Sequence, residues 1–187
     1  MVTTLINSLT SESSKKDIFL SVLQIFAASL FLALSSQISM PLYFSPIPLT
    51  GQTFAVMFIG ANMGSRKGLL SVLVYLVEGS LGLPVFAGGG FGIMSLLGPR
   101  GGYFLGFLFQ VYLVGWFVKR QNSFQITKTF PVLLLFCLLQ LGLGVMWLSL
   151  LTTFESAMIM GFYPFLLGET IKSIVVALYL KMNVKLL

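Results

Sequence analysis

Histidine is missing from this chain of 187 residues, and cysteine occurs once, as Cys137. A disulfide within the chain is therefore excluded, and the usual Cys/His sets for zinc, haem or nucleophilic catalysis cannot be assembled. Charge is also scarce: 11 basic and 5 acidic residues make up 9% of the sequence. A soluble domain carries about 25% charged residues. With 57% hydrophobic residues and a mean hydropathy of +0.98, the chain has more apolar surface than a soluble fold of this size can bury. It reads as an integral membrane protein. Cys137 lies in an apolar run and reads as a small hydrophobe.

Several motifs are absent as well. No Gly-Lys-Ser/Thr phosphate loop is present, so the chain should not itself bind ATP. Gly90-Phe91-Gly92-Ile93-Met94-Ser95 falls short of a dinucleotide fingerprint. The net charge of +6 does not point to nucleic acid, because the cations sit in short clusters between apolar spans. No general base is paired with a nucleophile, and no enzyme is expected.

What is present is a succession of apolar spans. The expected fold is an all-α membrane protein of six transmembrane helices in one domain, residues 1–187, with residues 1–17 as a polar cytoplasmic tail. The spans are read at about 18–38, 53–63, 69–83, 102–118, 130–151 and 157–180. Prolines 41, 46 and 48 break the chain after the first span, and Thr50 is placed to cap the second. Gly64 to Gly68 form a tight basic turn. With both termini in the cytoplasm, nine of the eleven basic residues fall on the inner side: Lys15, Lys16, Arg66, Lys67, Lys119, Arg120, Lys128, Lys181 and Lys185. That asymmetry orients the chain.

The stretch from Gly82 to Tyr103 is different. It is crowded with Gly and Pro and would form a Gly-rich outer loop between helices 3 and 4. Irregular backbone at membrane depth persists only where protein buries it or where it lines a cavity. The loop is therefore read as the cover of a binding site, framed by helices.

Three ionisable residues stand where the membrane should be: Glu78, Glu169 and Lys172. Intramembrane charges mark function by default. Glu169 and Lys172 are three apart and share a helix face, so they can neutralise each other and still offer an acceptor and a donor. A plain ion pair that locks helix packing is the alternative. Arg100 is the one cation expected outside; it either holds a carboxylate or snorkels to headgroups. Glu78 is left out of the site. Ser29 and Ala33 put two small side chains on one face of the first helix, where another helix can approach.

With these residues in hand, the chain resembles the BioY family, the biotin-specific S components of energy-coupling factor transporters. The resemblance is carried by Gln37-Ile38-Ser39-Met40-Pro41, Pro46-Ile47-Pro48-Leu49-Thr50-Gly51-Gln52-Thr53, Gly82-Leu83-Pro84-Val85-Phe86-Ala87-Gly88-Gly89, Gly98-Pro99-Arg100-Gly101-Gly102-Tyr103, and Pro164-Phe165 followed by Gly168-Glu169-Thr170-Ile171-Lys172. It implies high-affinity biotin binding and uptake at a bacterial-type plasma membrane. It also implies partnership with a transmembrane T component and two ATPases, which alone use ATP. No bound cofactor or metal is implied. The substrate-binding residues would be Phe86, Gly88, Gly89, Arg100, Tyr103, Glu169 and Lys172. Ser29 and Ala33 would face the T component. The sequence departs from the family where Glu169 stands for the usual Asp, and where Ser29 stands for one of two usual Ala. Glu169 and Lys172 would meet the ureido group, Phe86 and Tyr103 the rings, and Arg100 the carboxylate; Arg100 and Lys172 could exchange roles. The alternative is an S component for another small vitamin or cofactor precursor. From other classes come an assembly protein without a ligand and an intramembrane enzyme.

Overall fold

Gly64 decides how the first half of the chain is arranged. The computed structural model describes residues 2–183, with side chains described over 15–183. Lys185 therefore lies outside the described residues. Helix α1 spans Val2–Gln37 and so continues back through the segment expected to be a polar tail. A two-stranded antiparallel ribbon follows, β1 (Ser39–Met40) paired with β2 (Leu49–Thr50), with the Pro-rich stretch as its loop. Helix α2 covers Gln52–Ser80 but is broken at Gly64, whose φ of 74° and ψ of 179° are not helical. The Gln52 amide donates to the Tyr75 hydroxyl at 2.7 Å. In one straight helix these residues would lie about 35 Å apart. The two arms are thus folded into a hairpin, in line with the tight turn expected here.

Small residues let this hairpin close. A Cβ on Gly68 would lie 3.5 Å from the Gly60 Cα. One on Gly115 of α4 (Gly101–Lys119) would lie 2.3 Å from the Ser65 backbone nitrogen. The conformation of Gly64 is essentially reserved for glycine and costs other residues on the order of 1–3 kcal/mol. Gly64→Ala should therefore lower stability by about that amount, although open space surrounds the missing Cβ. Thermal unfolding in detergent measures the loss.

Among the described residues, three stretches are long and apolar enough to cross a membrane: Lys15–Gln37, Gly101–Lys119 and Ile126–Ser149, the last being α5. The expected sixth span is not one helix. It is divided into α6 (Phe154–Gly161), a 3-10 turn (Tyr163–Phe165) and α7 (Leu166–Asn183). Pro164 has no N–H to offer the carbonyl of Met160, and its ring opposes a continued helix. The carbonyls freed by the break are taken by side chains from elsewhere. Ser45 Oγ donates to Met160 O at 2.7 Å, and Tyr103 Oη donates to Gly161 O at 2.8 Å.

Ser29 and Ala33 also require a correction. They do not present an outer surface: Ser29 is 0% exposed and Ala33 7%. Ser29 Oγ donates to Glu78 Oε2, which joins α1 to the second arm of α2. The close approach that the small residues permit is made within the chain. Glu78, too, is accounted for by this bond.

The Gly-rich loop has more structure than expected. Phe86 and Gly90 pair as an isolated bridge, Ala87–Gly89 is a 3-10 turn, and α3 spans Ile93–Leu97. The loop is held to the end of α1 by Gln37, which donates to Phe86 O at 3.2 Å and accepts from Gly89 N at 3.2 Å.

Candidate functional site

Among the described residues, a partly open cavity of about 40 Å3 lies where the ribbon, the Gly-rich loop and the starts of α2, α4 and α7 converge. Ile47, Pro48 and Thr50 come from the ribbon, Gln52 and Thr53 from α2, and Ala87 and Arg100 from the loop. Helices α4 and α5 contribute Tyr103, Phe104, Phe107, Gln140 and Leu141; the broken last span contributes Phe165, Glu169 and Lys172.

The polar centre is built on α7. The break at Pro164 starts a new helix beside the cavity, and Glu169 lies in its first turn. A helix N-terminus favours a negative charge. The Glu169 side chain is 2% exposed. Its Oε1 accepts from Thr53 Oγ1 at 2.7 Å and from Lys172 Nζ at 2.8 Å. Lys172 Nζ also donates to Thr53 Oγ1 at 2.7 Å. Thr53 thus closes a triangle that holds both charges in place. Glu169 Oε2 is buried and has no hydrogen-bond partner. Leaving such a group unsatisfied costs about 1–3 kcal/mol, and more when it is charged. Lys172 keeps one of its three N–H donors beyond these two bonds. The pair therefore offers a free acceptor and a free donor side by side. A planar group with adjacent N–H and C=O, such as a cyclic urea or amide, fits that offer. Gln140 Oε1 is a further buried acceptor without a partner on the cavity wall.

At the loop side, Arg100 precedes the first residue of α4. Its Nη1 donates to Ala87 O at 3.1 Å. Partial burial lowers its pKa from the ordinary arginine value, but a guanidinium stays protonated at neutral pH. Arg100 and the N-terminus of α4 together favour an anion. Gly101 and Gly102 are needed for packing here: a Cβ on Gly102 would meet Trp147 Cβ at 2.3 Å.

Four of the seven residues expected at the site line this cavity: Arg100, Tyr103, Glu169 and Lys172. Tyr103 contributes its ring, since its hydroxyl is bonded to Gly161. Phe86 does not line it. Phe86 is 0% exposed and packs on Tyr75 and Phe104, with ring centroids 5.4 and 4.8 Å away. It sits over Gly79, where any Cβ would fall 2.1 Å from its ring. It anchors the loop rather than walling the site, and Phe104 and Phe107 form the aromatic wall instead. Gly88 and Gly89 also lie off the cavity. Both have φ of +71°, so glycine serves the loop's turn there. Thr53 and Gln140 were not singled out from the sequence. A glutamine inside an apolar span was the available signal for Gln140; for Thr53 there was only its place in a quoted motif.

The sequence matches the model of the BioY family over residues 8–187. A relative from Pyrococcus horikoshii, named as a probable biotin transporter BioY, is 35% identical over 80% of this chain and 89% of its own. The biotin transporter BioY of Thermotoga maritima is 34% identical over 83% of this chain and 92% of its own. Among solved structures, the S component for biotin from an ECF-type ABC transporter superposes with a TM-score of 0.76 at 29% identity, covering 91% of this chain and 93% of that one. The family match takes in every element that builds the cavity, from the ribbon to α7, and on that ground the chain belongs to the BioY family.

Proposed function

We propose that this chain is the biotin-capturing S component of an energy-coupling factor transporter. The observation that carries the reading is the unpartnered Oε2 of Glu169 beside the Lys172 ammonium, both on the wall of a mostly apolar cavity. Biotin has a neutral ureido ring fused to an apolar thiolane, with a carboxylate tail. Glu169 Oε2 accepts a ureido N–H, and Lys172 donates to the ureido oxygen. Phe104, Phe107 and Phe165 pack on the rings. Arg100 takes the carboxylate, because its guanidinium has one bond in the chain whereas Lys172 is engaged with Glu169 and Thr53. Where the family usually has Asp, the longer Glu169 spends its extra reach on Thr53.

The six crossings are α1, the two arms of α2, α4, α5 and the broken α6–α7 unit. Both termini are cytoplasmic, and the cavity opens to the outside of the plasma membrane beneath the ribbon and the Gly-rich loop. Transport is powered by two ATPases through a T component, and this chain carries out no catalysis. The surface for the T component lies away from the buried Ser29 and Ala33. Equilibrium binding of labelled biotin to the purified protein in nanodiscs tests the ligand. Saturable binding with one site per chain, competed by unlabelled biotin, is expected. No saturable binding, or equal competition by unrelated vitamins, would end the biotin assignment. Co-purification with ATPases tests the partners separately.

A further inference from the structure

The cavity occupies one end of the helical unit, and the other end carries a second feature. The first arm of α2 leads from Thr53 in the cavity wall to the turn at Gly64, about 17 Å away along the helix. Helix α4 likewise leads from Phe107 in the cavity to Lys119 and Arg120. At this far end a wide groove runs between the α2 turn and the end of α4. Arg66, Lys67, Lys119 and Arg120 line it, and no carboxylate does among the described residues. None of the four is in an ion pair among the described residues. Arg120 stacks on the Trp116 ring at 4.0 Å, and Lys67 donates to Gln24 Oε1 at 2.9 Å.

A second groove adjoins the first and is of opposite character. It lies between α1 and α2 and is lined by Ala27, Ala28, Phe31, Phe58 and Ile59. The two grooves share Asn62, Met63 and Lys67. A strip of four cations thus opens at Lys67 into an apolar channel that small residues keep open. Tyr112 and Trp116, both exposed, line the basic groove, and such aromatic residues are enriched where a membrane meets its headgroups.

We infer that these joined grooves bind an anionic phospholipid, its phosphate on Arg66, Lys67, Lys119 and Arg120 and one acyl chain between α1 and α2. Basic pockets between membrane helices recognise anionic headgroups. A free phosphate would use the basic groove alone. A docked protein helix would cover the apolar channel without needing four unpaired cations. Only an amphiphile accounts for both halves and for their junction at Lys67. The inference is independent of what the cavity binds.

The chain has two tryptophans, Trp116 on the groove and Trp147, which is bonded to Gly98 at the cavity end. In a Trp147→Phe background, Trp116 fluorescence therefore reports on the groove. The protein is placed in nanodiscs with brominated phosphatidylglycerol or brominated phosphatidylcholine at equal mole fraction. Stronger quenching by phosphatidylglycerol is expected. That preference should fall about fivefold for each cation removed, in Arg66→Gln and in Lys119→Gln. Ala27→Leu, which fills the channel, should reduce the preference for long-chain over short-chain phosphatidylglycerol. Native mass spectrometry of the unaltered protein should retain phosphatidylglycerol over phosphatidylcholine, whether or not the variants fold.

Equal quenching by the two lipids would overturn the inference. So would relief of quenching by millimolar glycerol phosphate, which would indicate a free-phosphate site. A preference unchanged in all three variants would mean general membrane charge and would also overturn it. If those variants keep the preference but lose co-purifying partner subunits, the face is a protein-docking surface and the lipid site is wrong.

Discussion

Replacing Lys172 by methionine should weaken biotin binding about 10- to 150-fold while leaving a folded protein in the membrane. A hydrogen bond from a charged group to the ligand is worth about 1.5–3 kcal/mol, and each 1.4 kcal/mol is tenfold in affinity, whereas losing one partner of a buried ion pair lowers stability by about 3–5 kcal/mol. Glu169 is 2% exposed on its side chain, and Lys172 is its one cationic partner among the described residues. After the substitution, the carboxylate keeps only Thr53. A buried charge without its counter-charge is costly. The ligand loses the Lys172 donor, and the acceptor next to it is weakened. Labelled-biotin binding and thermal unfolding, measured on the same preparation, separate the effects on affinity and stability. The double variant Glu169→Gln with Lys172→Met leaves no unpaired charge, so its melting temperature should recover while its biotin affinity does not. Undiminished binding in Lys172→Met would refute the assigned role. Recovery of both properties in the double variant would reduce the pair to a packing device.

Arg100→Gln should lower biotin affinity by about 10- to 150-fold, the equivalent of a charged hydrogen bond worth about 1.5–3 kcal/mol. The ligand supplies the control. Biotinamide has the same rings and a neutral tail, so it should bind the unaltered protein more weakly than biotin does. In Arg100→Gln the two ligands should bind alike. Competition measurements with both ligands on both proteins complete the cycle. Arg100 also donates to Ala87 O and so helps to hold the loop over the cavity. If the substitution weakens biotin and biotinamide by the same factor, Arg100 acts through the loop and not on the carboxylate.

The residues that the fold brings to the cavity and those that it places elsewhere divide along a physical line. Glu169, Lys172 and Arg100 were legible because charge in an apolar sequence is expensive, and each such residue needs a reason. The turn at Gly64 was legible because glycines flank a basic pair between two short apolar runs. Phe86 was misplaced because an aromatic ring beside glycines reads the same whether it faces a ligand or plugs a gap. Only its position over Gly79 tells the two apart. Ser29 and Ala33 were misplaced for a similar reason. Small residues permit a close approach, but the sequence does not say whether the approaching helix belongs to the same chain. The break in the last span had a signal in Gly161 and Pro164. It was outweighed by the length of apolar sequence around them, and the acceptors that accompany the break, Met160 O and Gly161 O, are satisfied by Ser45 and Tyr103 from distant segments.

By itself, the sequence determined the solvent, the helical class and the residues that needed an explanation. Composition and the spacing of charges are properties of a linear string, and the bilayer's low polarity makes them decisive. Tertiary structure alone decided which groups meet. It brought Thr53 onto the Glu169–Lys172 pair from 116 residues away, and it left Glu169 Oε2 without a partner on the cavity wall. Contacts of that kind follow from how helices pack across the whole chain, which no local pattern of residue types encodes.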